Sequence, residues 1–165
     1  MARYSLFVVL LALAIPCFSS AASPAIENAC RDFVDPNFCV ASLQAASGSE
    51  TADARGIASI SHKLSVANAT ATLSKLATFK KTATDAGVMK SAEACEILYK
   101  NTAAALKWAG EFAASNHFDM AVVMYETTLS APSGCGQILA NGFDVDGTNL
   151  KMLMLMTRHF SRTLI

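Results

Sequence analysis

Apolar residues recur at intervals of three and four over long stretches of this chain, and short polar, glycine or proline joints part the stretches. Such spacing gathers side chains on one face of an α-helix. Ile57, Ile60, Leu64, Ala67 and Ala71 step in this way and predict a helix over about 52–79. Lys80-Lys81 and Asp85-Ala86-Gly87 read as its last turn and a restart. From there Val88, Ala92, Cys95, Tyr99, Thr102, Leu106, Ala109 and Ala113 hold the alternation over more than three heptads, the strongest periodic signal in the chain. After the break at Ser115-Asn116-His117, the residues Phe118, Val122, Tyr125 and Leu129 open a third helix, which Pro132 and Gly134 should bend or end before Cys135. A Gly- and Asp-rich loop at 141–147 leads to a last segment in which Leu150, Leu153, Phe160 and Leu164 recur among Met152, Met154 and Met156.

Ahead of these four segments, residues 26–43 hold two short apolar pieces parted at Asp35-Pro36, where a second helix can begin near Asn37. Nowhere do apolar and polar residues alternate long enough to argue for a strand. The expected fold is all-α: an antiparallel up-down-up-down four-helix bundle over about 52–165, with a small helical hairpin over about 25–45 leaning on one end.

The first 22 residues stand apart. Met1-Ala2-Arg3 is a short positive start, Leu6 to Ile15 is unbroken apolar sequence, and Ser20-Ala21-Ala22 supplies the small residues a signal peptidase requires. Pro16 and Ser19-Ser20 interrupt the run well before the roughly 20 apolar residues a membrane span needs. A signal peptide at 1–22 and a single secreted domain at 23–165 are therefore expected, with Cys17 discarded and no membrane attachment after cleavage. The remaining 143 residues carry 12 basic and 13 acidic side chains with neither sign in a block, which argues against nucleic acid as a partner.

Four cysteines remain: Cys30, Cys39, Cys95 and Cys135. An even count in an exported chain favours disulfides, and no C-x-x-C spacing suggests zinc. Four cysteines allow three connectivities. A hairpin bent at Asp35-Pro36 would let Cys30 and Cys39 face each other, and a Cys95–Cys135 bond would join neighbouring long helices.

Candidate chemistry is sparse. His62, His117 and His159 lie on different segments without a carboxylate at metal or catalytic spacing, so each reads as an isolated, solvated or partly buried histidine. There is no G-x-S-x-G elbow and no glycine-rich phosphate loop. Glu93 and Glu96 read as solvated charges on a helix face. The alternating methionines read as core filling that spills to the surface. Asn68-Ala69-Thr70 is an N-glycosylation sequon, and Asn68 lies off the predicted apolar stripe of its helix. Neither a catalytic set nor a cofactor is expected.

These features together resemble one family. Ile26 to Cys30, then Asp35-Pro36-Asn37-Phe38-Cys39-Val40-Ala41-Ser42-Leu43, then Ala52 to Ala58, then Cys95-Glu96-Ile97-Leu98-Tyr99, then Ser130-Ala131 and Cys135 are similar in order and spacing to the plant invertase and pectin methylesterase inhibitors. The resemblance implies a four-helix bundle with an N-terminal hairpin and sequential disulfides, Cys30 with Cys39 and Cys95 with Cys135. It further implies a secreted protein of the apoplast, cell wall or vacuole that occludes the active-site cleft of a partner enzyme. Where pectin methylesterase inhibitors carry acidic residues, this chain has Ile97, Asn101, Ala104 and Gln137. Where invertase inhibitors carry Pro-Lys-Phe, it has Thr78-Phe79-Lys80-Lys81, and a cysteine often found in the last helix is absent. The expected function is inhibition of pectin methylesterase in a 1:1 complex, followed by inhibition of acid invertase, then a non-inhibitory helical binding or structural module. The expected contact surface is the outer side of the two middle helices, including Glu96, Lys100, Asn101, Lys107 and Asp119. The hairpin is a possible site of homodimerisation.

Overall fold

A computed structural model describes residues 23–138 and 147–165. The expected signal peptide at 1–22 and most of the loop expected at 141–147 lie outside the described residues. Seven α-helices follow in order: α1 (Pro24–Cys30), α2 (Pro36–Gln44), α3 (Ala54–Thr82), α4 (Ala86–Ala114), α5 (Phe118–Thr128), α6 (Ser130–Ile138) and α7 (Gly147–Arg162). No strand occurs among the described residues.

Local chemistry sets the starts. An acceptor at the N-cap satisfies one of the amides that a helix leaves unbonded in its first turn. Asp53 accepts from the Gly56 amide at 2.7 Å, Asp85 from Val88 at 2.9 Å and Asp35 from Phe38 at 3.0 Å. Pro24 and Pro36 occupy the first helical position of α1 and α2, where no amide is needed. At the other end of α4, Ser115 caps the helix and Asn116 turns the chain with φ of 61°, a conformation asparagine tolerates better than most residues.

The third segment departs from expectation. Pro132 does not end a helix before Cys135; the break comes earlier, at Leu129, and α6 runs through Pro132, Gly134 and Cys135. Proline cannot donate to the carbonyl four residues back and its ring crowds that group. With the helix restarted at Ser130, Pro132 falls in a first turn where neither matters, and it is fully buried there. Together α5 and α6 make the third column of a ring in which α3 packs on α4 and α7, and α7 closes onto α5 and α6.

The apolar stripe of α3 also shifts. Ala67 and Ala71 are exposed, while Ser61, Ser65, Ala69, Thr72 and Leu76 are buried. A strict heptad repeat drifts by about 20° per seven residues from a straight helix, so a stripe read at that spacing slides off the true face within two repeats. Short hydroxyls can occupy the buried face because they return their protons to their own helix: Ser61 Oγ to the Ala58 carbonyl at 2.8 Å and Ser65 Oγ to Ser61 at 3.1 Å. Ser65 also meets Thr157 of α7, hydroxyl to hydroxyl at 3.1 Å.

Two cores result. The bundle core gathers Ala69, Leu76, Ala92, Cys95, Tyr99, Leu106, Tyr125, Cys135, Leu150 and Met154. A second core joins the hairpin residues Ile26, Cys30, Phe33, Cys39 and Leu43 to Ile57 and Ala58 of α3 and to Leu153, Met156 and Phe160 of α7. The hairpin therefore lies along α3 and α7, over the half where α3 begins and α7 ends. Helix α7 is a wall common to both cores, and this accounts for its methionines: Met154 is fully buried in one core, Met156 in the other, and Met152 is half-buried. Each core contains one disulfide, Cys95–Cys135 in the bundle and Cys30–Cys39 in the hairpin. Where α7 begins, the backbone of Gly147 lies so close to α6 that a Cβ would stand 2.8 Å from the Pro132 carbonyl oxygen.

Candidate target-binding surface

The buried stripe of α4 is the one its sequence announces: Ala92, Cys95, Tyr99, Thr102, Leu106 and Ala109. Opposite it, Ile97, Asn101, Ala104, Trp108 and Glu111 recur at steps of four and three and form an exposed stripe. Ile97 is 60% exposed and Trp108 56%, a large apolar pair about 16 Å apart along the helix axis at 1.5 Å per residue. On α5, Met120 and Val123 are also exposed, at 41% and 45%. Single exposed apolar residues are ordinary on a protein surface; four of the seven large ones exposed among the described residues stand on these two neighbouring helices.

All five residues expected at the interface lie on this side of the sequence pattern, and they differ in what they do. Asn101 and Asp119 are exposed. Lys107 is exposed and pairs with Glu111 at 3.9 Å. Glu96 is not a free contact group. Its carboxylate lies 2.6 Å from Lys80 of α3 and 2.6 Å from Lys100 one turn further along α4, so it ties two helices. The Lys100 and Lys80 ammonium groups hold the Glu96 carboxyl down at about 2, and the same bond raises Lys80. Reversing the charge at Glu96 would therefore disturb the α3–α4 junction as well as any contact, and Lys100 alone is the cleaner probe.

This depressed value carries a pH dependence. A carboxyl held below its ordinary value of 4.5 adds stability above that value and loses it as pH falls through about 2. Glu96→Gln should lower the melting temperature slightly at neutral pH, with the gap to the native protein closing between pH 4.5 and about 2. Thermal melts of both proteins across that range check it; a gap that widens with acid would contradict the assignment.

The other singled-out residues fall as follows. His117 is exposed, while His62 and His159 are half-buried on different helices. No cluster of metal-ligating side chains occurs among the described residues. Asn68 does not point freely to solvent: it is half-buried, and its amide oxygen is buried without a hydrogen-bond partner. The side chain of Gln137 lies outside the described ones. What sequence reasoning missed is Trp108. Its signal was available, because the chain's one tryptophan stands off the buried stripe, two residues after Leu106 and one before Ala109.

No described helix is long and apolar enough to cross a membrane. Comparison with solved structures finds the same fold in a mutant form of a pectin methylesterase inhibitor from Arabidopsis, with a TM-score of 0.74 at 22% identity over 87% of this chain and 99% of that one. A second pectin methylesterase inhibitor, from Arabidopsis thaliana, gives a TM-score of 0.64 at 20% identity over 85% and 95% of the two chains. No curated protein matches the chain significantly. The family model for plant invertase/pectin methylesterase inhibitors matches residues 24–162, from the start of α1 to the end of α7. The chain belongs to that family, whose members are inhibitors and not enzymes.

Proposed function

We propose that this chain is a secreted inhibitor of pectin methylesterase that lays the outer face of α4 and α5 into the active-site cleft of its target. Family membership supports an inhibitor of the pectin methylesterase or invertase type. The observation that carries the mechanism is the stripe from Ile97 to Trp108, a row of exposed apolar and uncharged polar groups on a long helix. Aromatic anchors that fill a pocket dominate the energy of most protein interfaces. Here the anchor stands on a helix whose core side is bonded through Cys95 to α6, so little order has to be gained on binding. The lysines beside the stripe have acidic partners within the chain, Lys100 in Glu96 and Lys107 in Glu111.

The signal peptide at 1–22 belongs to the same reading, since it delivers the chain to the wall space where disulfides persist. The test is a titration of the mature protein, made in an oxidising host, against a plant pectin methylesterase and a cell-wall invertase. Stoichiometric loss of esterase activity with invertase untouched is the expected result. Loss of invertase activity alone would transfer the proposal to that enzyme, and no effect on either at micromolar inhibitor would overturn both.

A further inference from the structure

Between α3, α4, α5 and α7, beside the turn that joins α4 to α5, lies a cleft of about 260 Å³. It is lined by Arg55, Ser59 and His62 of α3, by Gly110 and Ala113 of α4, and by Phe118 and Tyr125 of α5, with Asn116 and Ser161 at its edges. Trp108 and Ile97 take no part in it.

No acidic residue lines this cleft, and one permanent cation does. The Arg55 guanidinium stands 5.3 Å from the centre of the Phe118 ring and bonds the Asn116 side chain. Among the described residues no carboxylate comes within ion-pair distance of it. Stacking on the ring and the bond to Asn116 hold the planar fork in one place, while its charge is left for something else.

The floor is polar and bonded within itself. His62 Nδ1 lies 2.9 Å from the Tyr125 hydroxyl, and the Ser161 hydroxyl bonds the same phenol. Burial and the neighbouring Lys63 push the His62 pKa down, so the imidazole is neutral near pH 7. A phenol is the better donor and an imidazole nitrogen the better acceptor, so Nδ1 accepts and the ring proton sits on Nε2. That nitrogen faces α4 where residue 110 is glycine; a Cβ there would stand 2.7 Å from it. Glycine there lets the imidazole pack against α4, where alanine would displace it.

We infer that this cleft is a binding site for a small organic monocarboxylate with a flat apolar body. The carboxylate pairs with the Arg55 guanidinium at the mouth, and the body lies between the Phe118 ring and Ala58 of α3 and Ala113 of α4. A molecule of liquid water takes about 30 Å³, so the cleft has room for a ligand of roughly eight to ten heavy atoms. This assignment stands apart from the docking of an enzyme on the outer stripe of α4, and each can fail without the other.

Benzoate and its neutral isostere benzamide test it on the native protein, by titration at neutral pH followed in amide and imidazole NMR spectra. Benzoate should shift the signals of Arg55, His62 and Phe118 saturably, and benzamide should bind at least about tenfold more weakly, because a charge-assisted pair is lost. Arg55→Gln should weaken benzoate by a similar factor with the far-ultraviolet dichroism unchanged. Non-saturable shifts, or equal binding of the two probes, would overturn the site without recourse to any variant. Unchanged benzoate affinity in folded Arg55→Gln would overturn the role of the guanidinium.

Discussion

Trp108→Ala should raise the concentration of inhibitor needed to block the target enzyme by about thirtyfold or more, while the melting temperature stays within a degree or two of the native value. A buried interface tryptophan removed to alanine commonly costs 2 kcal/mol or more of binding, which is about a thirtyfold change. In the free protein the same side chain is more than half exposed and belongs to neither core, so its loss leaves no cavity. Surface substitutions of that kind fall within about 0.5 kcal/mol of neutral in stability. Ile97→Asp, three turns away on the same stripe, should add to the loss by placing a charge in a dried contact. Inhibition constants for the two single variants and the pair, measured beside thermal melts, check this. Full potency in Trp108→Ala would move the docking face off α4.

Replacing Cys95 and Cys135 together by serine should lower stability by about 4 kcal/mol, because the bond closes a loop of 40 residues. For a domain of this size that is a fall of about 10 °C in melting temperature. The matching change at Cys30 and Cys39 closes only a nine-residue span and should cost about 2.5 kcal/mol. Calorimetry on both double variants tests the order of the two. Equal falls, or a larger fall for the hairpin pair, would show that local packing around the sulfurs outweighs the loss of chain entropy. The α4 stripe should also lose potency with the first pair and keep it with the second, since α4 belongs to the 95–135 bond alone.

The parts of this fold that were legible in the sequence are those where large apolar side chains face the core. Tyr99 and Leu106 mark the inner side of α4 without ambiguity, and the joints at Asp35 and Asp85 were read as helix starts, where each aspartate caps its helix. The inner side of α3 was not legible, because Ser61, Ser65 and Thr72 are buried there while the alanines that fit a heptad face water. Hydroxyls that satisfy themselves on the preceding turn carry no hydrophobic signal. The break at Leu129 was misplaced for a related reason: proline was read as an end, whereas in a first turn it is a beginning. At the candidate surface, the charged residues drew attention by type. Yet Glu96 is occupied by two lysines, and of the exposed apolar groups Trp108 drew no attention, while Ile97 was marked only as a position without an acid.

The position of α7 as a wall common to two cores has a consequence in time. Leu150 and Met154 complete one core, and Leu153, Met156 and Phe160 complete the other, so both wait on α7, which is made after every other described helix. Chains emerge N-terminus first. The hairpin can oxidise early, within a span of nine residues, and can meet Ile57 and Ala58 of α3, but its core stays open on one side until α7 arrives. Neither core is complete before that helix, so the body that supports the outer stripe of α4 is finished by the same segment that seats the hairpin.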